Sequence, residues 1–166
     1  MNKVALSAVK MITKLRPDIK STYKSQRIAE DLSGKLTLAS PRCRIDDMTC
    51  TAPDGYEIPL RVFTPLDIDF SFKSGLRVND DHKGTILFFH GGGWANGDVD
   101  FYADTCMKMC IKLDRRVVAV DYRRSPEHRF PTAVDDCYEV ARQLFAGEIL
   151  TDVDPDHIVL FGDSAG

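Results

Sequence analysis

Residues 158 to 166 read Ile158-Val159-Leu160-Phe161-Gly162-Asp163-Ser164-Ala165-Gly166, an apolar run that breaks into Gly-x-Ser-x-Gly. The run predicts a strand, and the break predicts a sharp turn out of it. A serine hydroxyl is a poor nucleophile until a neighbouring base takes its proton, so a reactive serine has to be held exposed beside that base. A strained strand-to-helix turn holds it so, and flanking glycines relieve the crowding that a Cβ would cause there. Alone, the pentapeptide is a common small-residue turn, and its surroundings decide the reading.

Two other runs share its character, Thr85-Ile86-Leu87-Phe88-Phe89 and Val117-Val118-Ala119-Val120. Continuous apolar runs of this length are expected of parallel strands covered on both faces. Between the runs lie two helical segments. The first spans about Tyr102 to Leu113. The second starts at Pro131, a favoured first helical position, and carries Val134, Cys137, Ala141, Leu144 and Phe145 on one stripe. Upstream, Arg44 to Ala52 and Tyr56 to Thr64 are strand-like, with Ile58, Leu60 and Val62 alternating and Pro53-Asp54-Gly55 supplying turn chemistry between them. The order hairpin, strand, helix, strand, helix, strand predicts an α/β fold. Its sheet is mostly parallel, opened by an antiparallel hairpin, with helices on both faces. Ligands of such sheets bind beyond the carboxyl ends of the strands, so the breaks after Phe89 and Phe161 face one crevice.

Val4, Ala8, Met11 or Ile12 and Leu15 recur at helical spacing before Arg16-Pro17, which predicts a helix over about 3 to 15. A second helix is expected from Thr22 to Leu32, closing at Ser33-Gly34. Stripes of this kind usually pack on a core. Leu66 to Lys83, rich in Asp, Ser and Asn, reads as a surface connection. The chain divides into an N-terminal helical segment, residues 1–43, and a partial α/β core, residues 44–166.

The break after Phe89 is His90-Gly91-Gly92-Gly93-Trp94. Three consecutive glycines let a backbone come close to a ligand and turn its N–H groups towards one point, as the oxyanion of acyl transfer requires. Each such donor stabilises the transition state of hydrolases by about 3 kcal/mol. A phosphate cradle is the rival reading, but neither break carries the Gly-Lys-Ser/Thr of a P-loop.

The series HGGGW, then DYRRSPEHRFP from Asp121 to Pro131, then DPDHIVLFGDSAG resembles the hormone-sensitive-lipase branch of the α/β-hydrolases, its esterases and deacetylases. The resemblance is strong from His90 onward, and the hairpin and N-terminal helices are compatible with it in order and size. It implies that Ser164 is the nucleophile and that Gly91, Gly92, Gly93 and Ala165 form the oxyanion hole. Gly92, Gly93 and Ala165 would donate there, and Gly91 would shape the loop. His90 and Asp163 take supporting roles, and Asp121-Tyr122-Arg123 with Pro126-Glu127 brace the crevice. The chain departs from the family pattern at Arg124-Ser125, usually Leu-Ala, and at Arg129, often Pro. The implied activity is hydrolysis of small or medium carboxylic esters through an acyl-enzyme, without metal or organic cofactor. In this family the triad runs Ser, then Asp or Glu, then His, so acid and base are expected after residue 166, and a chain ending there is expected to be an inactive, poorly soluble fragment. Two alternatives remain open: a binding protein of the same fold that uses the crevice without hydrolysis, or a partial gene product.

The remaining features narrow the class. A net charge of −3 with scattered Lys and Arg offers no face for nucleic acid, and 43% hydrophobic residues over 166 positions suits an ordinary globule. The apolar runs are strand-sized, and the Val4 to Val9 segment is cut by Lys10, which predicts no membrane span and a cytoplasmic protein. Five cysteines, an odd number, point to reduced thiols. Cys106 and Cys110 share i, i+4 spacing but lack companion ligands, so core thiols are expected. Asp152, Asp154 and Asp156 alternate like a calcium loop, yet His157 stands where glycine is needed and no glutamate closes it. His90 and His128 precede Ser164 and so fall outside the family's chain order for the base.

Overall fold

The computed structural model describes residues 19–34, 40–68, 76–78 and 83–166. The helix expected over 3 to 15 lies outside them. Helix α1 (Ile19–Gly34) is followed by strands β1 (Cys43–Thr51), β2 (Glu57–Ile68), β3 (Leu76–Val78) and β4 (Thr85–Phe89), helix α2 (Ala103–Leu113), β5 (Arg116–Val120), helix α3 (Thr132–Phe145) and β6 (Ile158–Gly162). The strands form one mixed sheet in the order β1-β2-β5-β4-β6, with β3 added antiparallel to the end of β2. The segment read as a plain connection thus begins inside β2 and contributes a strand of its own.

β1 and β2 form the antiparallel hairpin, β2 runs antiparallel to β5, and β4 is parallel to both β5 and β6. The chain leaves β4 for β5 on one side, then crosses back over β4 to β6 on the other. Because crossovers between parallel strands keep one hand, reversing the direction of travel puts the two helices on opposite faces. Alternation along the strands follows. Ile86, Phe88, Val117 and Ala119 pack with Cys106, Met107 and Cys110 of α2. Leu87, Val118 and Val120 pack with Val140 and Leu144 of α3. Cys106 and Cys110 are core thiols, and all five cysteines are free.

Two expectations for α3 need correction. Pro131 is the N-cap of α3, and the helix begins at Thr132. The buried face of α3 is Ala133, Asp136, Glu139, Val140 and Leu144, while Val134 and Phe145 are exposed. The shift occurs because Asp136, 1% exposed, is drawn inward by a fork of hydrogen bonds from Arg123. β6 is the edge strand among the described residues, and its Val159, Leu160 and Phe161 are exposed. Just ahead of it, the Arg116 guanidinium binds the Asp152 carboxylate through two bonds of 2.8 and 2.6 Å, fixing the approach to β6 against the start of β5. Asp154 accepts the Asp156 N–H and contacts His157 at 2.7 Å, so two of the three alternating aspartates hold the turn together.

Leu87 sits at the centre of the sheet between Val118 and Leu160 and has no exposed surface. Leu87→Ala is expected to lower the free energy of unfolding by about 2–5 kcal/mol, seen as a lower urea midpoint with little change in slope.

Candidate active site

Parallel register builds the site. Phe89 pairs with Gly162, so β4 and β6 end side by side, and His90-Gly91 and Asp163-Ser164 leave adjacent strand ends together. The Gly91 N–H donates to Asp163 Oδ1 at 2.8 Å, and the Tyr102 hydroxyl donates to Asp163 Oδ2 at 2.9 Å. Burial and this hydrogen bond push Tyr102 up to about 12, so it stays a donor at neutral pH. Asp163 therefore ties the glycine loop, the start of α2 and the serine turn into one unit.

The turn itself is tight. Ser164 is exposed and has φ of 52°, a left-handed conformation uncommon for a residue with a Cβ. Gly166 N–H closes the turn on Asp163 O at 2.8 Å. A Cβ on Gly162 would lie 2.9 Å from Phe89 O and press on the Gly166 backbone, and a Cβ on Gly166 would strike Phe89 O and reach 2.9 Å from His90 O. The two glycines of the pentapeptide are required by this approach to the end of β4.

The polar groups of the glycine loop can be accounted for one by one. His90 O accepts from the Tyr122 hydroxyl at 2.6 Å. Gly91 O accepts from His90 Nδ1 at 2.9 Å, Gly92 O from the N–H groups of Ala95 and Asn96, and Trp94 O from Ser125 N–H at 2.8 Å. Ala95 O accepts from Arg27 Nε at 2.7 Å, Gly97 N–H donates to Glu30 at 2.9 Å, and Gly97 O accepts from Arg124. Gly91 N–H is committed to Asp163 and is not available as an oxyanion donor. Among the described residues, the N–H groups of Gly92, Gly93 and Ala165 have no protein acceptor.

His90 is 1% exposed and stacks on Tyr122 at 4.1 Å. Since the Gly91 carbonyl can only accept, His90 Nδ1 carries the proton and Nε2 presents a lone pair. That lone pair faces Asp121 Oδ1 at 4.0 Å, and neither atom has a hydrogen-bond partner among the described residues. Burial lowers His90 to about 4, keeping the ring neutral, and burial raises Asp121 to about 6. His90 is thus a neutral, buried ring with Nε2 aimed at Asp121. His128 is exposed in the Asp121–Pro131 loop, its ring beside Tyr56 at 6.4 Å.

Several participants carry no signal in the sequence. Gln26, Arg27 and Glu30 of α1 reach the loop through polar side chains, while Ile28 and Leu32 of the same helix are 68% and 67% exposed. The core-packing expectation for this helix is therefore corrected: its docking face is polar, because the surface it meets is unpaired loop backbone. Arg124, the departure from the family's Leu, donates to Gly97 O. A cavity of about 260 Å³ lies beside the end of β5, lined by Arg27, Asp121, Tyr122 and Arg124 among others; neither Ser164 nor Gly92 and Gly93 line it. Among the described residues, no group of three or more His, Cys, Asp or Glu is arranged to hold a metal, and no helix is long and apolar enough to cross a membrane.

Residues 86–166 match the family model described as alpha/beta hydrolase fold. The chain is 36% identical over 120 residues to Lipase 2 of Moraxella sp. (strain TA144), covering 72% of this chain and 26% of the relative. It is 33% identical over 149 residues to the arylesterase of Saccharolobus solfataricus, covering 87% and 44%. Among solved structures, a thermophilic carboxylesterase cloned from a metagenomic library superposes with a TM-score of 0.70 at 27% identity, covering 90% of this chain and 46% of that one. The chain thus spans less than half the length of these relatives.

The buried Asp121 carboxyl gives a signed pH effect. An aspartate titrates near ~3.9 when unfolded, and folded Asp121 titrates at about 6. The folded state holds this proton more tightly, so its contribution to stability is lost as pH rises from about 4 through 6. His90 acts oppositely, costing stability as pH falls from 6.5 towards about 4. Asp121→Asn removes the first cost and offers His90 Nε2 an N–H. At pH 8 it is expected to raise the free energy of unfolding by about 2–3 kcal/mol, at ~1.4 kcal/mol per unit. The gain should disappear near pH 4, and a gain independent of pH would contradict the assignment.

Proposed function

This chain belongs to the alpha/beta hydrolase fold family, and from that premise we propose that it supplies the nucleophile and oxyanion hole of a serine-dependent carboxylic ester hydrolase. The observation that carries the reading is the adjacency of the two loops: an exposed Ser164 in a left-handed turn beside a glycine loop whose Gly92 and Gly93 N–H groups have no acceptor among the described residues.

In this reading Ser164 Oγ attacks the ester carbonyl as its proton passes to a histidine base. The carbonyl oxygen becomes an oxyanion held by the N–H groups of Gly92, Gly93 and Ala165. Collapse expels the alcohol, which takes the proton from the imidazolium, and water then releases the acid from the acyl-enzyme by the same sequence in reverse. Asp163 does not react; it sets the spacing between Ser164 and the donors. Gly91 directs the loop by binding Asp163. Among the described residues Ser164 Oγ has no hydrogen-bond partner. In the family's chain order the acid and histidine follow the serine, so the reading requires both from residues after Gly166. The substrate class is a small-molecule ester, as the names of the relatives, lipase, arylesterase and carboxylesterase, suggest. No metal or organic cofactor enters the scheme. Residues 1–43 serve as a cap-like segment, of which α1 is docked on the loop that follows Gly93. Five free cysteines fit a reducing cytoplasm.

A fluorophosphonate probe tests the nucleophile. The natural full-length protein is expected to be labelled and its Ser164→Ala variant is not; equal labelling of the two would remove Ser164 from its role. Gly91→Ala tests the adjacency. Its Cβ would lie 2.6 Å from Asp163 Oδ2 and 2.9 Å from Asp163 O, forcing the loop and turn apart. Labelling is expected to slow by on the order of 100-fold, the loss associated with one oxyanion donor.

A further inference from the structure

We propose that Arg27, on the N-terminal helix and distant in sequence from every motif of the site, is a positioning residue that holds the oxyanion loop in its working conformation. The proposal rests on the esterase reading and names the residue through which α1 acts on it.

Ala95, Asn96, Gly97, Asp98 and Val99 are all buried, although they form an irregular loop with no ladder or helix to satisfy their backbone. Buried backbone groups need partners, and beyond the turn bonds that Ala95 and Asn96 N–H make to Gly92 O this loop finds them outside itself. Two neighbouring segments supply them. The Asp121–Pro131 loop gives Ser125 N–H to Trp94 O and Arg124 to Gly97 O. α1 gives Arg27 to Ala95 O and Glu30 to Gly97 N–H, and its Gln26 accepts from the Asn96 amide at 2.6 Å. Gly34, at the end of the helix, packs so closely on Asp100 that a Cβ there would lie 2.8 Å from its backbone carbon. Residues 26, 30 and 34 repeat at i, i+4, and Arg27 lies on the same face; this polar stripe is matched to the loop.

Within the stripe Arg27 has the largest share. Its Nε donates to Ala95 O at 2.7 Å and its Nη2 donates to Ser125 O at 2.7 Å, while Nη1 pairs with Glu127 at 3.1 Å. Ser125 N–H in turn holds Trp94 O. One planar guanidinium thereby closes a ring that joins the glycine loop at residues 94 and 95 to the loop at 125 and 127. Trp94 has φ of 58° and Gly93 has φ of 62°. These two successive left-handed residues directly follow Gly92, and fixing Trp94 O and Ala95 O holds the peptides on their C-terminal side. A lysine cannot reproduce this. Its ammonium is a point charge and cannot address two carbonyls and a carboxylate in one plane.

The test compares Arg27→Gln, Arg27→Lys and Glu127→Gln in the natural full-length protein, using p-nitrophenyl acetate hydrolysis, thermal melting and amide hydrogen exchange. The glutamine variant is expected to lose on the order of tenfold in kcat with KM nearly unchanged, because the donors act on the oxyanion that forms in the transition state. The lysine variant, which keeps charge and length and guards against simple misfolding, is expected to fail to rescue kcat. Glu127→Gln leaves both carbonyl bonds of Arg27 in place and is expected to lose less kcat than Arg27→Gln. Exchange at residues 92–98 is expected to quicken in both Arg27 variants while the melting temperature and exchange in β4 and β5 hold. Full activity in Arg27→Gln, rescue by lysine, or a rise in KM at constant kcat would each overturn the positioning role. If the parent protein neither hydrolyses the ester nor takes the fluorophosphonate, the esterase reading fails. The exchange arm then decides the clamp by itself, and unchanged exchange at 92–98 rejects it.

Discussion

The parallel pairing of β4 with β6 is the constraint on which the site depends. It sets Phe89 opposite Gly162, and with that register fixed, the residues that follow the two strands have nowhere to go but into each other. The turn after β6 folds back until Gly162 and Gly166 both lie against the end of β4, where only glycine has room. A slip of one residue would place Asp163 opposite a strand residue and carry Ser164 away from the glycine loop. Asp163 then converts proximity into attachment, accepting from Gly91 N–H and from Tyr102 at the start of α2.

A second requirement follows from the first. A loop pressed against the sheet end is buried, and its backbone groups must be satisfied there. The protein meets this with charged and polar side chains from two separate segments, α1 and the Asp121–Pro131 loop. Arg27, Glu30 and Arg124 all address backbone atoms of residues 95 to 97. Among the described residues, the groups left without partners include the N–H groups of Gly92 and Gly93, next to the exposed Ser164. The same burial explains His90 and Asp121. Their orphaned atoms face each other under the loop, one held neutral and the other pushed towards protonation.

The legible parts of the fold were those where one short segment carries its own pattern. The runs at 85–89, 117–120 and 158–161 announced β4, β5 and β6, and Pro53-Asp54-Gly55 announced the hairpin turn. Pattern failed where a distant partner changed the outcome. Asp136 turned the buried face of α3 because Arg123 waits beneath it. β3 escaped notice because three residues gain a strand's conformation only from the exposed end of β2. α1 read as an apolar stripe, yet it docks by Gln26, Arg27 and Glu30 because its contact surface is loop backbone.

The sequence by itself determined the fold class, the order of the hairpin and the βαβ units, and the two glycine breaks that face one crevice. These depend on local periodicity and on residues whose backbone freedom is intrinsic. The tertiary structure alone decided that Gly91 spends its N–H on Asp163, that His90 is a neutral buried ring, and that a helix more than sixty residues upstream grips the loop. The first and last of those are pairings between a donor and an acceptor brought together by strand register and by burial, and the state of His90 follows from burial itself. No single segment of sequence contains both halves of such a pair.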